Sequence, residues 1–331
     1  MPGGTSAAVV SNIFAPAGAP ADAIRTISLL VLGITAVIFL IVGGLLAYCI
    51  VRYRRRPDDD GREPPQVYGS NPVELAWTLV PVLIIFVLIT TTVRTTFEIQ
   101  AAAPPADAVH VRVIGHQWWW EYVYDRDDGR DLGVITANEL HIPASNRAVT
   151  SERRPVYLAL RSADVAHSYW VPRLAGKTDL IPGKTNTMWF ETDRRQLFVG
   201  QCAEYCGTQH ANMLLRVYVD SPEDFERWLE NESKPAVEDP AAAEGKAAFL
   251  AQSCVNCHRV RGSRAAGNYG PDLTHLMSRQ TLASGMVPNT PAELRRWVAD
   301  PQKVKPGCLM PAFKLSDRDL DLVVGYLLTL K

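Results

Sequence analysis

Two uncharged apolar blocks near the start of the chain restrict its architecture more than any other feature. The first runs from Ile27 to Val51 and the second from Leu75 to Val93. A helix of roughly 20 residues spans the ~30 Å hydrocarbon core of a bilayer, so both blocks are long enough to cross a membrane. A buried helix of a large soluble protein is the alternative for each block. The pattern predicts a transmembrane hairpin at residues 27–98, preceded by an N-terminal segment at residues 1–26.

The polar loop between the two blocks predicts the orientation of the hairpin. Arg52 and the run Arg54-Arg55-Arg56 follow the first block directly. By the positive-inside rule, such a loop lies in the cytoplasm. Both termini, and everything after the hairpin, are then on the exported side of a bacterial plasma membrane. Over the whole chain the charges nearly cancel, with Lys+Arg 34 against Asp+Glu 35, so there is no basic excess of the kind that indicates nucleic acid.

The residues after the hairpin divide into a strand-rich part and a helical part. Short β-branched and aromatic runs separated by turn residues predict an all-β sandwich or barrel at residues 107–230. A helix with Ser221 as its N-cap ends this part. Residues 231–240 are polar and contain proline, which is typical of a linker. Within residues 241–331 the apolar period becomes helical, with helices predicted to begin near Ala241, Thr290 and Ser316.

One run in the strand-rich part has the composition of a metal site. Cys202-Ala-Glu-Tyr-Cys-Gly-Thr-Gln-His-Ala-Asn-Met213 offers two thiols, one imidazole and one thioether, a soft ligand set that suits copper. A mononuclear blue-copper loop has one Cys, whereas two metal ions bridged by two sulfurs require two. His167 is the candidate for the histidine contributed by an earlier strand. A disulfide or a zinc site is the alternative, but neither accounts for Met213 or His167.

This run resembles the copper-A loop of cytochrome c oxidase subunit II. The hairpin, the Trp-rich run Gly115-His-Gln-Trp-Trp-Trp-Glu-Tyr and the run Lys177-Thr-Asp-Leu-Ile-Pro-Gly resemble the same family. The resemblance implies a cupredoxin-like β-sandwich with a dinuclear copper-A centre. The implied ligands are the bridging thiolates of Cys202 and Cys206, the imidazoles of His167 and His210, the weak axial thioether of Met213 and the backbone carbonyl of Glu204.

Two further roles follow from the same resemblance. The Glu204 carboxylate helps to bind a magnesium ion at the border with the catalytic subunit. Trp118, the first aromatic residue of the Trp-rich run, lies above the copper site where the electron donor docks. Since successive strand residues point to opposite faces, Trp118 and Trp120 are predicted to share one face and Trp119 the other. Trp119 stands where the family often has Tyr, and the C-terminus is extended.

A second metal-binding motif lies in that extension. Cys254-Val-Asn-Cys257-His258 is the C-x-x-C-H signature of covalent haem attachment, in which two thiols bind the haem and the histidine binds the iron. The runs Gly245-Lys-Ala-Ala-Phe and Gly270-Pro-Asp-Leu resemble a small all-α class I cytochrome c, which implies that the Pro271 carbonyl orients His258. A Met is expected as the sixth iron ligand because it raises the potential. Met310 fits the family pattern, and Met286 and Met277 are the alternatives.

Glu74 lies in the run Asn71-Pro-Val-Glu-Leu-Ala-Trp-Thr at the cytoplasmic start of the second block. An acid near a helix N-terminus is favoured by the helix dipole alone. In the family, a Glu in this run marks the place where protons enter the K pathway of the catalytic subunit. Both interpretations remain open at this point.

Together these features predict an electron-transfer subunit. Electrons from a cytochrome c-type donor pass through haem c and copper-A to oxidase subunit I, with subunit III as a further partner. The short linker keeps the haem domain near the β-sandwich at a high effective concentration without a need for rigid docking. The alternatives are the corresponding subunit of a copper-A nitric oxide reductase and a membrane-anchored redox shuttle or copper-delivery protein.

Overall fold

The computed structural model describes residues 12–57, 61, 63, 65–100, 108–125, 131–146, 154–237 and 239–331. The chain forms two compact units, the hairpin Asp22–Ala102 and a second unit that combines Met1–Ala21 with Ala103–Lys331. Most of the predicted N-terminal segment, the connector at residues 101–107 and one residue of the predicted linker lie outside the described residues.

The hairpin consists of α1 (Ala19–Arg52) and α2 (Asn71–Gln100). Each helix contains one of the two apolar blocks and extends beyond it. None of the most apolar stretch of either helix is buried inside the protein. A core helix of a soluble protein would bury such a surface, so that alternative is wrong for both blocks. Both helices are long and apolar enough to cross a membrane.

The strand-rich part, here called the β domain, is a sandwich of two five-stranded sheets among the residues that the structure describes. The first sheet has the order β3-β2-β1-β5-β8 and the second the order β4-β10-β9-β6-β7. The strands are β1 (Val109–His116), β2 (Trp119–Asp125), β3 (Asp131–Ala137), β4 (Glu139–Pro143), β5 (Val156–Ser162), β6 (His167–Trp170), β7 (Thr178–Leu180), β8 (Asn186–Phe190), β9 (Leu197–Cys202) and β10 (Leu214–Asp220). The helix α3 (Pro222–Ser233) follows, with Ser221 as the predicted N-cap.

Alternating burial along the strands forms the core between the two sheets. In β1, every second residue from Val109 is buried, as expected for a strand with one face in the core. Trp120, Tyr122, Phe190 and Phe198 are almost completely buried in this core. Complete burial of a large apolar side chain contributes roughly 1.5–3 kcal/mol, so these side chains are a major part of what holds the sheets together. The predicted sandwich is confirmed.

Residues just before α1 are bound to the β domain. The backbone N–H groups of Ala17 and Gly18 both donate to the Arg173 carbonyl, at 2.7 and 3.1 Å, and the Arg173 guanidinium donates to the Ala15 carbonyl at 2.8 Å. The N–H of Ala21 donates to the Leu174 carbonyl. The end of the N-terminal segment and the first residues of α1 therefore pack against the β domain.

The last part of the chain, here called the helical domain, covers residues 240–331. Its helices are α4 (Ala243–Ala251), α5 (Cys254–Cys257), α6 (Pro291–Ala299), α7 (Pro301–Val304) and α8 (Asp317–Leu327). Thr290 and Ser316 are N-caps whose side chains accept from the N–H groups of Glu293 and Asp319, as the sequence predicted. A short β-hairpin, β11 (Thr281–Leu282) and β12 (Val287–Pro288), lies between α5 and α6 and is here called the docking hairpin (residues 281–288).

The docking hairpin joins the helical domain to the β domain. Glu139, which is buried at the start of β4, accepts from the Gln280 N–H at 2.8 Å and from the Thr281 hydroxyl. The Ser284 hydroxyl lies 3.1 Å from the Asn138 side-chain oxygen and donates to the Leu214 carbonyl at 3.0 Å. The two domains are thus in direct, hydrogen-bonded contact, which the sequence did not require.

Candidate metal centres

Three predicted copper ligands lie together at one end of the second sheet. His167 is the first residue of β6 and Cys202 is the last residue of β9, and these strands are paired so that Tyr169 lies opposite Cys202. Cys206 follows four residues later in the loop that leads towards β10. The ligand atoms of these three residues all lie within 4.8 Å of one another, and all three residues are buried. Pairing of β6 with β9 therefore brings together residues far apart in sequence.

The remaining predicted ligands surround the same pair of thiols. The two Sγ atoms are 3.7 Å apart, far beyond the ~2.05 Å of a disulfide bond, and both cysteines are free. Cys202 Sγ lies 3.9 Å from His167 Nδ1 and 3.2 Å from the Glu204 carbonyl oxygen. Cys206 Sγ lies 3.6 Å from His210 Nδ1 and 3.8 Å from Met213 Sδ. Two sulfurs in the centre with nitrogen, thioether and carbonyl donors around them fit a copper site.

The pKa values of the two thiols are shifted in opposite directions. The hydrogen bond with Cys206 is the main cause that lowers the pKa of Cys202 to about 3, against the opposing effect of burial. The hydrogen bond with Cys202, together with burial, raises the pKa of Cys206 above its ordinary value. A lowered pKa at Cys202 favours the thiolate, which is the form that binds a metal ion.

Asp164 fixes the histidine of this cluster, and sequence analysis did not identify it. Its carboxylate lies 2.8 Å from His167 Nε2 and accepts from the Gln117 N–H at 2.7 Å. Burial lowers the pKa of His167, but the hydrogen bonds with Asp164 and Cys202 outweigh it, so the pKa is raised. A carboxylate on the distal nitrogen is the usual partner of a metal-binding histidine. Its position three residues before His167 was the available signal.

A glycine gives the His167 ring its space. A Cβ atom at Gly115, in β1, would lie 2.8 Å from His167 Cδ2 and 3.0 Å from Cγ. Those distances are shorter than real side chains tolerate, so any larger residue would displace the ring. The glycine of the Trp-rich run therefore has a direct role in shaping the cluster.

Trp118 contacts residues 202–213, here called the copper loop, from a turn and not from a strand. It lies in the turn between β1 and β2, because β2 begins at Trp119. Trp118 is therefore not a strand residue, but it packs with Trp120 in the hydrophobic core of the β domain, and the predicted grouping is confirmed. Its indole N–H donates to the Cys206 carbonyl at 2.9 Å, beside a bond from the Gln117 amide to the same oxygen at 2.7 Å. Trp119 instead stacks on His116, with ring centroids 4.2 Å apart.

The second cluster is built around His258 in the helical domain. Cys254 and Cys257 are free thiols on the single turn of α5, and His258 follows as its C-cap. His258 Nδ1 lies 2.8 Å from the Pro271 carbonyl oxygen, as predicted. That contact leaves Nε2 for an iron ion. Burial lowers the pKa of His258, which favours the neutral ring that a metal binds.

The ring of His258 also depends on a close backbone approach. A Cβ atom at Gly270 would lie 2.6 Å from His258 Cε1, so only glycine fits beside the ring. This requirement explains the glycine before Pro271 in physical terms. Two thiols on one turn with an oriented neutral imidazole beside them fit covalent attachment of haem and ligation of its iron.

The predicted sixth ligand, Met310, lies in a loop organised by Gln302. The Gln302 amide donates to the carbonyls of Cys308 and Met310, at 2.9 and 2.8 Å, and accepts from the Gly307 N–H at 2.8 Å. The backbone around Met310 is thereby fixed from α7. Gln302 carried no motif signal, because its role depends on a turn that brings residues 302 and 310 together.

Glu74 lies in the first turn of α2, where the sequence placed it. Its Oε1 accepts from the Ser70 N–H at 3.3 Å. The side chain thus satisfies one of the free N–H groups at the helix start. This contact accounts for an acid at the position, and it leaves the proposed proton role untested.

Comparison with known proteins connects the three parts of the chain. The family model for the transmembrane domain of cytochrome C oxidase subunit II matches residues 8–94. The model for the periplasmic domain of the same subunit matches residues 109–219, and the cytochrome c model matches residues 242–331.

Whole-chain relatives carry the same combination. Cytochrome c oxidase subunit 2 of Alkalihalophilus pseudofirmus is 33% identical over 324 residues, which cover 96% of this chain and 90% of the relative. The Bacillus subtilis protein of the same name is 31% identical, with the same coverage of both chains. The crystal structure of the periplasmic domain of cytochrome oxidase subunit II from Bradyrhizobium japonicum is 28% identical and covers 40% of this chain and 96% of that one, with a TM-score of 0.34.

A transmembrane hairpin followed by a cupredoxin-like β-sandwich and a cytochrome c domain defines a membrane-anchored electron-transfer protein. The chain belongs to the cytochrome c oxidase subunit II family, in the form with a fused cytochrome c domain. It is therefore a subunit of a haem-copper oxidase complex, and its two extramembrane domains imply copper-A and haem.

Proposed function

We propose that electrons enter the oxidase through this chain, from a cytochrome c-type donor to haem c, then to copper-A and on to the oxygen-reducing subunit I. The contact between the domains carries the proposal. The Lys305 ammonium of the helical domain donates to the Trp118 carbonyl at 2.8 Å, and the Trp118 indole donates to the Cys206 carbonyl at 2.9 Å. A short hydrogen-bonded connection thus joins the haem-bearing domain to the copper loop.

The contacts within the copper cluster and around His258 support the proposed roles of the metal-binding residues, and Met310 is assigned from the family pattern. Cys202 and Cys206, the central pair of sulfurs, would hold the copper ions as thiolates, with His167, His210, Met213 and the Glu204 carbonyl as outer ligands. Cys254 and Cys257 bind haem covalently, and His258 and Met310 ligate its iron. Copper-A, when bound, supplies a one-electron acceptor and donor, while the protein holds its ligands and excludes water.

The test uses the assembled oxidase, with stopped-flow mixing against reduced cytochrome c. In the wild type, haem c is reduced first and copper-A follows. Cys202→Ser and Cys206→Ser should each abolish the mixed-valence dinuclear copper signal and leave the haem spectrum intact. Reduction of copper-A before haem c, or a dinuclear signal that persists in either variant, would refute the pathway or the bridging assignment respectively.

Trp118 is proposed as the bridge between haem and copper. Its indole and its backbone carbonyl are both engaged, one by the copper loop and one by the helical domain. Trp118→Ala should leave both metal spectra and assembly unchanged but slow haem-to-copper transfer. Transfer at the wild-type rate, or loss of copper, would leave Trp118 as a packing residue only.

Glu204 is proposed to bind magnesium through its carboxylate at the border with subunit I. The support is that the two oxygen-bearing groups of Glu204 are separate. Its backbone carbonyl lies 3.2 Å from Cys202 Sγ, so its side-chain carboxylate is left for another partner. Glu204→Ala keeps that carbonyl, so the copper signal should persist. When manganese replaces magnesium in the complex, the electron paramagnetic resonance signal of manganese bound at this site should be present in the wild type and absent in Glu204→Ala. An unchanged manganese signal in the variant would contradict the role.

We propose a two-pass orientation with both metal domains on the exported side and the loop after Arg52 in the cytoplasm. The bonds from Ala17 and Gly18 to the β domain support it, because they put the start of α1 on the β-domain side. The exposed apolar faces of the hairpin are then available to subunit I and subunit III within the membrane. Protease added to intact spheroplasts should cleave within residues 107–331 and spare the loop.

Two other functions are less well supported. A copper-A nitric oxide reductase would use the same two metal centres, and the activity of the purified complex towards oxygen or nitric oxide discriminates the two. A free-standing redox shuttle or copper-delivery protein would be stable without a multi-span subunit. The full-length match to oxidase subunits favours the oxidase.

A further inference from the structure

Lys305 is a buried ammonium at the contact between the two domains, and neither metal site includes it. It follows α7 in the helical domain and is only 3% exposed. Its Nζ donates to the carbonyls of Trp118 at 2.8 Å and Asn212 at 2.9 Å, both in the β domain, and lies 3.3 Å from the Ala283 carbonyl in its own domain. One side chain therefore ties together two segments of the β domain and the docking hairpin.

One β-domain acceptor, Asn212, belongs to the copper loop, and the other, Trp118, belongs to the turn beside it. Asn212 directly precedes Met213, and its side-chain amide donates to the Gln209 side chain at 2.6 Å. The Trp118 indole N–H donates to the Cys206 carbonyl of the same loop. The Lys305 ammonium thus bonds to the backbone of the copper loop and of the turn that the loop contacts.

Residues next to Lys305 extend the same contact. The Gln209 amide donates to the Pro306 carbonyl, and a Cβ atom at Gly307 would lie 3.3 Å from Thr208 Cγ2. Residues 305–307 therefore lie directly on residues 208–212. Trp118 is only 8% exposed as a result of its packed surroundings.

The cost of burying the Lys305 ammonium favours a role in directional hydrogen bonding over a role in filling space. Burial is the main reason that the pKa of Lys305 is lowered to about 8. Among the residues that the structure describes, its acceptors are carbonyl oxygens and not a carboxylate. An apolar residue would fill such a place without the cost of removing a charge from water. What an ammonium adds is three directional donors, which fix one docking geometry.

We propose that Lys305 is a positioning residue that seats the helical domain on the copper loop and so sets the geometry for haem-to-copper electron transfer. The inference rests on the proposed function, because it presumes that electrons pass between these two domains. The inference goes beyond that function because it names the contact that fixes the position of the helical domain relative to the β domain. Lys305 touches no metal ligand and acts only through the backbone of Trp118 and Asn212.

The test compares Lys305→Met with Lys303→Met in the assembled oxidase. Lys303 lies two residues earlier in α7, its side chain is 80% exposed, and its partner is Asp300 at 3.6 Å, so it is a matched control for loss of one positive charge. Lys305→Met leaves buried carbonyls unpaired. Amide hydrogen exchange in residues 205–213 and 305–309 should then rise about tenfold, equal to about 1.4 kcal/mol, and haem-to-copper transfer should slow about tenfold through misplacement of the domain. Both metal spectra should stay unchanged.

Three outcomes overturn the proposal. Exchange and transfer that match those of Lys303→Met would show that the ammonium positions nothing, and faster exchange with unchanged transfer would limit Lys305 to stability. Loss of either metal spectrum would assign Lys305 to the folding of a metal site. If Lys305→Met does not accumulate, Lys305→Gln against Lys303→Gln decides by the same two readouts, with rates equal to the control overturning the proposal. Absence of haem-to-copper transfer in the wild type would instead refute the proposed function.

Discussion

Asp164 controls the metal site from outside the ligand set. Its carboxylate holds His167 Nε2 at 2.8 Å, which leaves Nδ1 on the side of the Cys202 thiol. The hydrogen bond from Gln117 N–H to the same carboxylate connects this arrangement to the Trp-rich turn. The orientation and basicity of the His167 ring therefore depend on a residue that binds no metal itself.

Asp164→Asn should weaken copper binding while leaving the fold intact. The amide is neutral and cannot accept from both donors as the carboxylate does, so copper affinity should fall about 10–100-fold. Competition against a copper chelator of known affinity measures this change. Asp193→Asn, at an exposed position of the same domain, is the control. Equal affinity in both variants would show that the carboxylate does not support the ligand.

Gln302 has a comparable position with respect to Met310. Its amide makes the bonds that fix residues 307–310, and Gln302→Ala would leave three backbone groups without it. In Gln302→Ala, we expect the helical domain to lose about 1–3 kcal/mol of stability. The weak visible absorption that a bond between the Met310 sulfur and the haem iron would give should diminish. Met310→Ala should remove that absorption completely, whereas Met286→Ala should not. Lys303→Ala is the control for Gln302→Ala. Unchanged absorption in Gln302→Ala would show that residues 307–310 keep their conformation without the Gln302 side chain.

At the residue scale, the sequence predicted the candidate metal ligands better than the residues that hold those ligands in place. Soft donors at fixed spacing predicted the contacts of Cys202 and Cys206 because the motif lies within a single loop. Asp164, Gln302 and Lys305 were not identified, since each acts on a residue brought near by a turn or by domain packing. Such residues carry ordinary side chains, and only three-dimensional proximity gives them a role.

At the scale of elements, local rules gave correct boundaries where capping chemistry was explicit. Ser221, Thr290 and Ser316 begin helices as their hydroxyls predicted. Trp118 shares the core with Trp120 as predicted, but it lies in a turn before β2 and not in the strand. Strand periodicity says nothing about where the strand starts. An aromatic run of three residues was therefore insufficient to place its first member.

The start of α2 offers a way to separate two roles of Glu74. Glu74→Gln keeps an oxygen that can accept from the Ser70 N–H, so the helix start should be preserved. It cannot carry a proton. If Glu74 serves proton uptake, Glu74→Gln and Glu74→Ala should both slow oxidase turnover with unchanged metal spectra. Glu98→Gln, which lies at the other end of α2 in an exposed ion pair with Arg94, is the control. Normal turnover in Glu74→Gln with a defect only in Glu74→Ala would assign Glu74 to helix capping.

At the scale of the whole molecule, the two extramembrane domains are held by polar contacts at two places. Lys305 and residues 306–307 contact the copper loop, and the docking hairpin contacts Glu139 and Asn138. Lys234, in the predicted linker, is also bound to the helical domain, since His275 Nε2 lies 3.0 Å from its carbonyl. The sequence indicated proximity through a short linker but not this register, because buried polar pairs between domains leave no periodic pattern.

Glu139 tests whether this contact stabilises the helical domain as a whole. Glu139→Gln replaces one carboxylate oxygen with an amide that cannot accept from the Gln280 N–H and the Thr281 hydroxyl together. Loss of a buried bond to a charged group costs about 1.5–3 kcal/mol, and each 1 kcal/mol shifts the Tm of a domain of this size by roughly 4–8 °C. Thermal unfolding followed at the haem absorption should therefore occur at a clearly lower temperature. Glu230→Gln, which breaks only the exposed ion pair with Lys234, should change the Tm little. An equal Tm for both variants would mean that the Glu139 bonds do not stabilise the helical domain.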